Sequence, residues 1–217
     1  MERVDAVAIY DISNPAAPTQ IGASLNAGNV PWDFFIKDNY AYVINYYFPW
    51  NMMVYNISNP LSPVLVTTYS LGQQPGEIVV SGKYAYVTFG YIQELRVYDV
   101  SNPTAPVYLT TIASGNTPNS MGITGNTLYL NNQQGFRLFS IATPGSITYT
   151  TYIPVLEGDQ FGGTVANNYA YLSSFDNNAI HIIKLSCSKV LGFDISGKMK
   201  PVAIDEIAPA GTLTLNK

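Results

Sequence analysis

The side chains in this sequence that could do chemistry are a few carboxylates and a run of aromatics. Asp33 and Glu77 follow Val30-Pro31-Trp32 and Gln74-Pro75-Gly76, Asp205 follows Ala203-Ile204, and Asp159 stands in Gly158-Asp159-Gln160. Two such carboxylates about 5–9.5 Å apart would supply the acid and base of a glycosidase. Trp32, Tyr46, Tyr47, Phe48, Trp50 and Tyr91 offer flat apolar faces of the kind that pack on protein or on sugar rings. The single cysteine, Cys187, needs a nearby base to act as a nucleophile, and the only histidine, His181, falls inside a strand pattern. Neither a catalytic thiol nor an internal disulfide is expected, and the same counts exclude a Cys/His metal centre. No residue is assigned a catalytic role, and no metal or cofactor is expected.

The background to these residues is unusually uncharged. Of 217 residues, 10 are basic and 14 acidic, a net charge of −4, and charged residues make up 11% of the chain. That is less than half the usual share, so Asn, Thr, Ser, Gln and 17 Tyr must wet the surface. There is no basic surface to meet phosphates, which argues against nucleic acid or an anionic membrane as partner. An apolar share of 47% argues against disorder. Met1 is followed by charged, mixed residues with no signal-peptide pattern, and the longest apolar runs are strand-sized, so no membrane insertion is expected. Few Lys and Glu among many Asn, Thr and Tyr fit an extracellular or cell-surface protein.

An internal repeat positions the candidate residues. Ile9-Tyr10-Asp11-Ile12-Ser13-Asn14-Pro15 recurs as Val54-Tyr55-Asn56-Ile57-Ser58-Asn59-Pro60 and as Val97-Tyr98-Asp99-Val100-Ser101-Asn102-Pro103. Worn copies centre on Phe139 and Ile183, and the five anchors are 45, 43, 41 and 44 residues apart. A second signature, Ala41-Tyr42-Val43, returns at Tyr86, Tyr129, Tyr171 and Thr214, with spacings of 44, 43, 42 and 43. Within one cycle, Trp32–Lys37, Tyr40–Asn45, Met52–Ile57 and Val64–Tyr69 read as four short strands separated by Gly, Asn, Pro and Asp. Four strands in about 40–45 residues is the period of a propeller blade.

This predicts an all-β propeller in one domain, 1–217, most simply of five blades. The fifth would be shared, with outer strands from 1–25 and inner strands from 202–217. Sharing would remove the free sheet edges. The alternatives are an open arc and part of a seven-bladed ring. In a propeller, the loops entering each innermost strand and those joining second to third strands open on one face. Asp33, Glu77, Asp205 and Asp159 would then ring the channel mouth, beside the loops carrying Tyr46–Trp50 and Tyr91. Asp11, Asn56 and Asp99 precede Ser-Asn-Pro at strand ends, which is turn chemistry rather than a ligand set. Asn56-Ile57-Ser58 also matches a glycosylation sequon.

The string Val-Tyr-Asp-Ile-Ser-Asn-Pro, followed about 30 residues later by Ala-Tyr-Val, resembles the LVIVD-repeat family of bacterial and archaeal surface proteins. The resemblance implies a β-propeller on a secreted or cell-surface protein and carries no catalytic motif. Three functions follow from the residues. The first is a non-enzymatic structural or protein-binding module, self-associating as an oligomer or fibre, because Tyr46–Trp50 occupies a loop where no core requires it and low charge removes repulsion. The second is a lectin, and the third is a glycosidase at the channel rim.

Overall fold

The computed structural model describes residues 6–22, 24–115, 117–132, 135–143, 146–154, 160–166, 169–174, 179–184 and 209–214. The N-terminal segment is a hairpin in two pieces: β1 (Ala6–Val7) pairs with β4 (Leu25–Asn26), and β2 (Tyr10–Asp11) with β3 (Thr19–Gln20). The first full sheet follows as β5 (Pro31–Lys37), β6 (Tyr40–Asn45), β7 (Asn51–Asn56) and β8 (Val64–Ser70). The second is β9 (Ile78–Ser81), β10 (Tyr84–Phe89), β11 (Glu94–Asp99) and β12 (Val107–Ala113). The third is β13 (Pro118–Thr124), β14 (Thr127–Asn132), β15 (Gly135–Ser140) and β16 (Thr148–Pro154). The fourth is β17 (Gln160–Ala166), β18 (Tyr169–Ser174), β19 (Ala179–Lys184) and β20 (Pro209–Thr214).

Each sheet is an antiparallel meander in which every strand pairs with its sequence neighbour. The innermost strands β5, β9, β13 and β17 contact one another in succession, which is a propeller arrangement of four blades. Strand bounds fall within a residue of those the repeat predicts for the first blade. No helix among the described residues is long and apolar enough to cross a membrane.

In the first three blades the repeated Ala-Tyr-Val segment is buried on both faces because β6, β10 and β14 each have a packed neighbour on either side. Ala41 and Val43 pack on Leu25 and Ala27 of the hairpin. Tyr42 and Ile44, pointing the other way, pack on Ile78 and Val80 of the next blade. Tyr86 meets Met121 and Leu128 in the same manner, and Tyr129 meets Ala170 and Leu172. The cores are therefore between blades, and successive blades stabilise each other rather than themselves. Arg96 adds a polar tie: it donates through Nε to Glu94 Oε2 at 2.8 Å and through Nη1 to the Leu71 carbonyl at 3.1 Å, the latter in the segment leaving the first blade.

The Ser-Asn-Pro motif closes the third-to-fourth strand turns as two consecutive Asx turns. Ser13, Ser58 and Ser101 amides donate to Asp11, Asn56 and Asp99 Oδ1 at 2.8, 2.9 and 2.8 Å. Three residues on, Ala16, Leu61 and Thr104 amides donate to Asn14, Asn59 and Asn102 Oδ1 at 3.2, 3.1 and 3.1 Å.

The C-terminal strand departs from expectation. Residues 202–217 were expected to form the inner strands of a blade shared with the N-terminus, but β20 pairs with β19 as the outer strand of the fourth sheet. The physical reason is the edge of β19, whose backbone groups need a partner and take the next strand-forming segment among the described residues. The N-terminal hairpin packs Leu25 and Ala27 against the first blade. Residues 1–5 and 202–208 lie outside the described residues.

Candidate functional site

One end of the propeller gathers most of the predicted residues. The entry to β5 is bulged between Pro31 and Asp33, so Trp32 is the extra residue and is turned outward. Its indole stacks on Tyr46 with ring centroids 4.5 Å apart at 33°, and Tyr46 meets Tyr47 edge-on at 5.2 Å. Phe48 meets Trp50 edge-on at 5.6 Å. The loop between β6 and β7 is pinned along its length. Tyr46 N–H donates to the Val30 carbonyl at 2.9 Å and Leu71 N–H to the Trp50 carbonyl at 2.8 Å. Gln74 Nε2 donates to the Tyr46 carbonyl and Asn29 Nδ2 to the Phe48 carbonyl, each at 3.0 Å. A pinned loop still leaves Phe48 72% exposed. In the next blade the corresponding loop is a 3₁₀ turn, Gly90–Ile92, with Tyr91 81% exposed at its tip.

Beneath this rim two carboxyls meet. Asp33 stands at the start of the first blade, and its Oδ2 accepts the Ile78 amide of the second blade at 2.8 Å. Glu77 is fixed beside it: its N–H donates to Thr88 Oγ1 at 2.8 Å, and its carbonyl accepts the Thr88 amide at 3.0 Å. Burial pushes the Glu77 carboxyl up to about 8, helped by the negative charge of Asp33 and by the hydrogen bond between them. Burial also raises Asp33, against the stabilising bonds from the Ile78 and Phe34 amides and from Glu77. Burial and mutual repulsion thus raise both carboxyls and favour a proton on the pair. The Asp33 carboxylate is engaged by the Ile78 and Phe34 amides. It joins two blades.

The entry segment of the third blade, Thr117-Pro118-Asn119-Ser120, carries no acid. The place of Asp33 and Glu77 is taken there by Ser120, opposite Asn131. Ser120 Oγ and both polar side-chain atoms of the fully buried Asn131 have no hydrogen-bond partner. Asp159, Asp205 and Cys187 lie outside the described residues. His181 is on β19, with Nε2 buried and unpartnered. Among the described residues no group of three or more His, Cys, Asp or Glu could hold a metal ion. Composition missed Thr88, Gln74 and Asn29, which hold the site from outside it; a Thr or an amide in a turn carries no signal of which backbone group it will meet.

These features define the chain first as a β-propeller of four-stranded blades. The LVIVD repeat matches residues 5–25, 28–70 and 74–113, and the chain belongs to that family of repeat proteins. No curated protein matches it. Among solved structures it is similar to a protein of unknown function from Desulfotomaculum acetoxidans, with TM-score 0.72 and 14% identity over 83% of this chain and 59% of that one. A Lactobacillus plantarum protein gives TM-score 0.68 and 12% identity over 94% of this chain and 62% of that one. The periplasmic gluconolactonase of Pseudomonas aeruginosa gives 0.66 and 12%, over 79% of this chain and 58% of that one. The chain spans less than two thirds of each, and at these identities the likeness is one of fold.

Proposed function

We propose that this protein is a non-enzymatic propeller that binds protein, including copies of itself, outside the cell or at its surface. The observation that carries this reading is the aromatic rim. Tyr47 and Phe48 are exposed on a loop pinned by four hydrogen bonds, with Trp32 and Tyr91 on the same face. A rigid, exposed aromatic loses little entropy on binding and buries much apolar area, the usual make-up of an interface centre. The low charge places little repulsion between copies, and the composition supports a location outside the cytosol. We include in the proposal a closed ring of five blades, the fifth begun by the N-terminal hairpin.

Native mass spectrometry of the chain and of Tyr47→Ser/Phe48→Ser tests the reading. Oligomers lost in the double variant, with unchanged circular dichroism, are expected; a chain that is monomeric before substitution and captures no protein partner through this rim contradicts it. A second reading, a lectin, draws on the exposed indole of Trp32 beside its Tyr46 partner. A glycan array bound by the chain and not by Trp32→Ala would favour it.

A further inference from the structure

The strands that begin a blade cover one face against the preceding blade, and the first of them does not. Ile78 and Val80 on β9 are 1% and 4% exposed in the core shared with the first blade. Their repeat equivalents on β5, Phe34 and Ile36, are 50% and 54% exposed. The hairpin covers only the outer half of that face, through Leu25 and Ala27. Its own inner edge shows the same deficit. Tyr10 is 50% exposed, whereas Tyr98, at the same repeat position, is 2% exposed between two strands. The third strands β7, β11, β15 and β19 each run six residues, but β1 and β2 are broken by Ala8 and Ile9. A sheet face and a strand edge are thus both uncovered where one blade's inner strands would lie.

Chain spacing says what fits there. The turns from third to fourth strand are residues 57–63, 100–106 and 141–147, whereas β19 and β20 are separated by residues 185–208. β20 comes too late to be a repeat-spaced outer strand. It comes on time for a second strand: Thr214 follows Tyr171 by 43 residues, as Tyr129 follows Tyr86.

We infer that the bare strip of Phe34 and Ile36, with the inner edge of the N-terminal hairpin, is the docking surface for this chain's own Pro209–Thr214 strand. That strand has two competing edges, β19, where it lies here, and the hairpin. The inference rests on the closed fifth blade proposed above and is independent of the aromatic rim. By repeat equivalence Leu213 then lies opposite Tyr10, as Leu128 lies opposite Phe139 and Ala85 opposite Tyr98. On β19 it lies opposite Ile180.

Two cysteine pairs in a Cys187→Ser background read the choice, since facing strand residues are about 4.5–5.5 Å apart at Cα, within disulfide reach. Tyr10→Cys/Leu213→Cys is expected to form an intrachain disulfide in the monomer under mild oxidation, whether or not Ile180→Cys/Leu213→Cys also closes. A Tyr10–Leu213 bond found only between chains overturns the inference but leaves the completed fifth blade standing. Absence of that bond removes both. Hydrogen exchange in the unsubstituted chain guards against misfolded variants: protected amides across Ala6–Asp11 are expected, and exchange at solvent rate along that edge contradicts docking.

Discussion

Burial and the Asp33 charge both act against the Glu77 anion. The consequence has a definite sign. Its carboxyl sits at about 8 in the folded chain against an ordinary 4.5, so between those values the folded state keeps a proton that the unfolded chain releases. The stabilisation is complete below the lower value and lost as pH rises through the upper one, and Asp33, also raised, acts in the same direction. Thermal unfolding from pH 4 to 9 is expected to show stability falling by about 1–3 kcal/mol across this window, allowing for the solvent that still reaches the pair. Glu77→Gln, a mimic of the neutral acid, should flatten the profile. Gly122 gives a second residue-scale prediction. A Cβ there would lie 2.0 Å from Tyr129 Oη, the oxygen that accepts the Val165 amide of the next blade at 3.0 Å. Gly122→Ala should therefore cost about 2–4 kcal/mol in denaturant unfolding, combining overpacking with a lost interblade bond. The acids were legible in the sequence as a set, from their place before each inner strand. That two of them share a proton was not, because it depends on the bulge that aims Asp33 at the second blade.

Among the elements, turns were the most legible part. Asx-x-Ser-Asn-Pro names its own hydrogen bonds, and they recur at three places with nearly the same lengths. Asn56 spends its Oδ1 on the Ser58 amide, so Asn56→Ala should lower stability by about 0.5–1.5 kcal/mol in chemical denaturation, while Asn56→Asp, the residue the other two copies use, should leave it nearly unchanged. Strands were legible because alternation and β-branching repeat in phase over the first three cycles. Partner choice was less so at the chain's end. The Gly211–Thr214 segment echoes a second strand in sequence, yet any strand-forming segment can satisfy the outer edge of β19, and edge pairing depends on backbone more than on side-chain identity. The exposed strip on β5 was hidden for the opposite reason: Trp32-Asp33-Phe34-Phe35-Ile36 reads as a buried strand, and only the neighbour that should cover it decides whether it is one.

At the scale of the molecule, cores between blades make the ring depend on every neighbour, and the place with no full neighbour is where apolar surface is bare. The sparse charge also belongs to this scale. With 24 charged side chains in 217 residues, contact between copies meets little electrostatic opposition, and association should respond weakly to salt. The same sparseness is compatible with a ligand-binding monomer; the exposed aromatics of the pinned Tyr46–Trp50 loop favour assembly. Sedimentation velocity of the unsubstituted chain over a wide concentration series, at low and at high salt, tests this most directly. A mass above the monomer is expected that grows with concentration, changes little with salt, and is lost on Tyr47→Ser/Phe48→Ser. A single monomeric species at every concentration and salt, unaltered by that substitution, would contradict it.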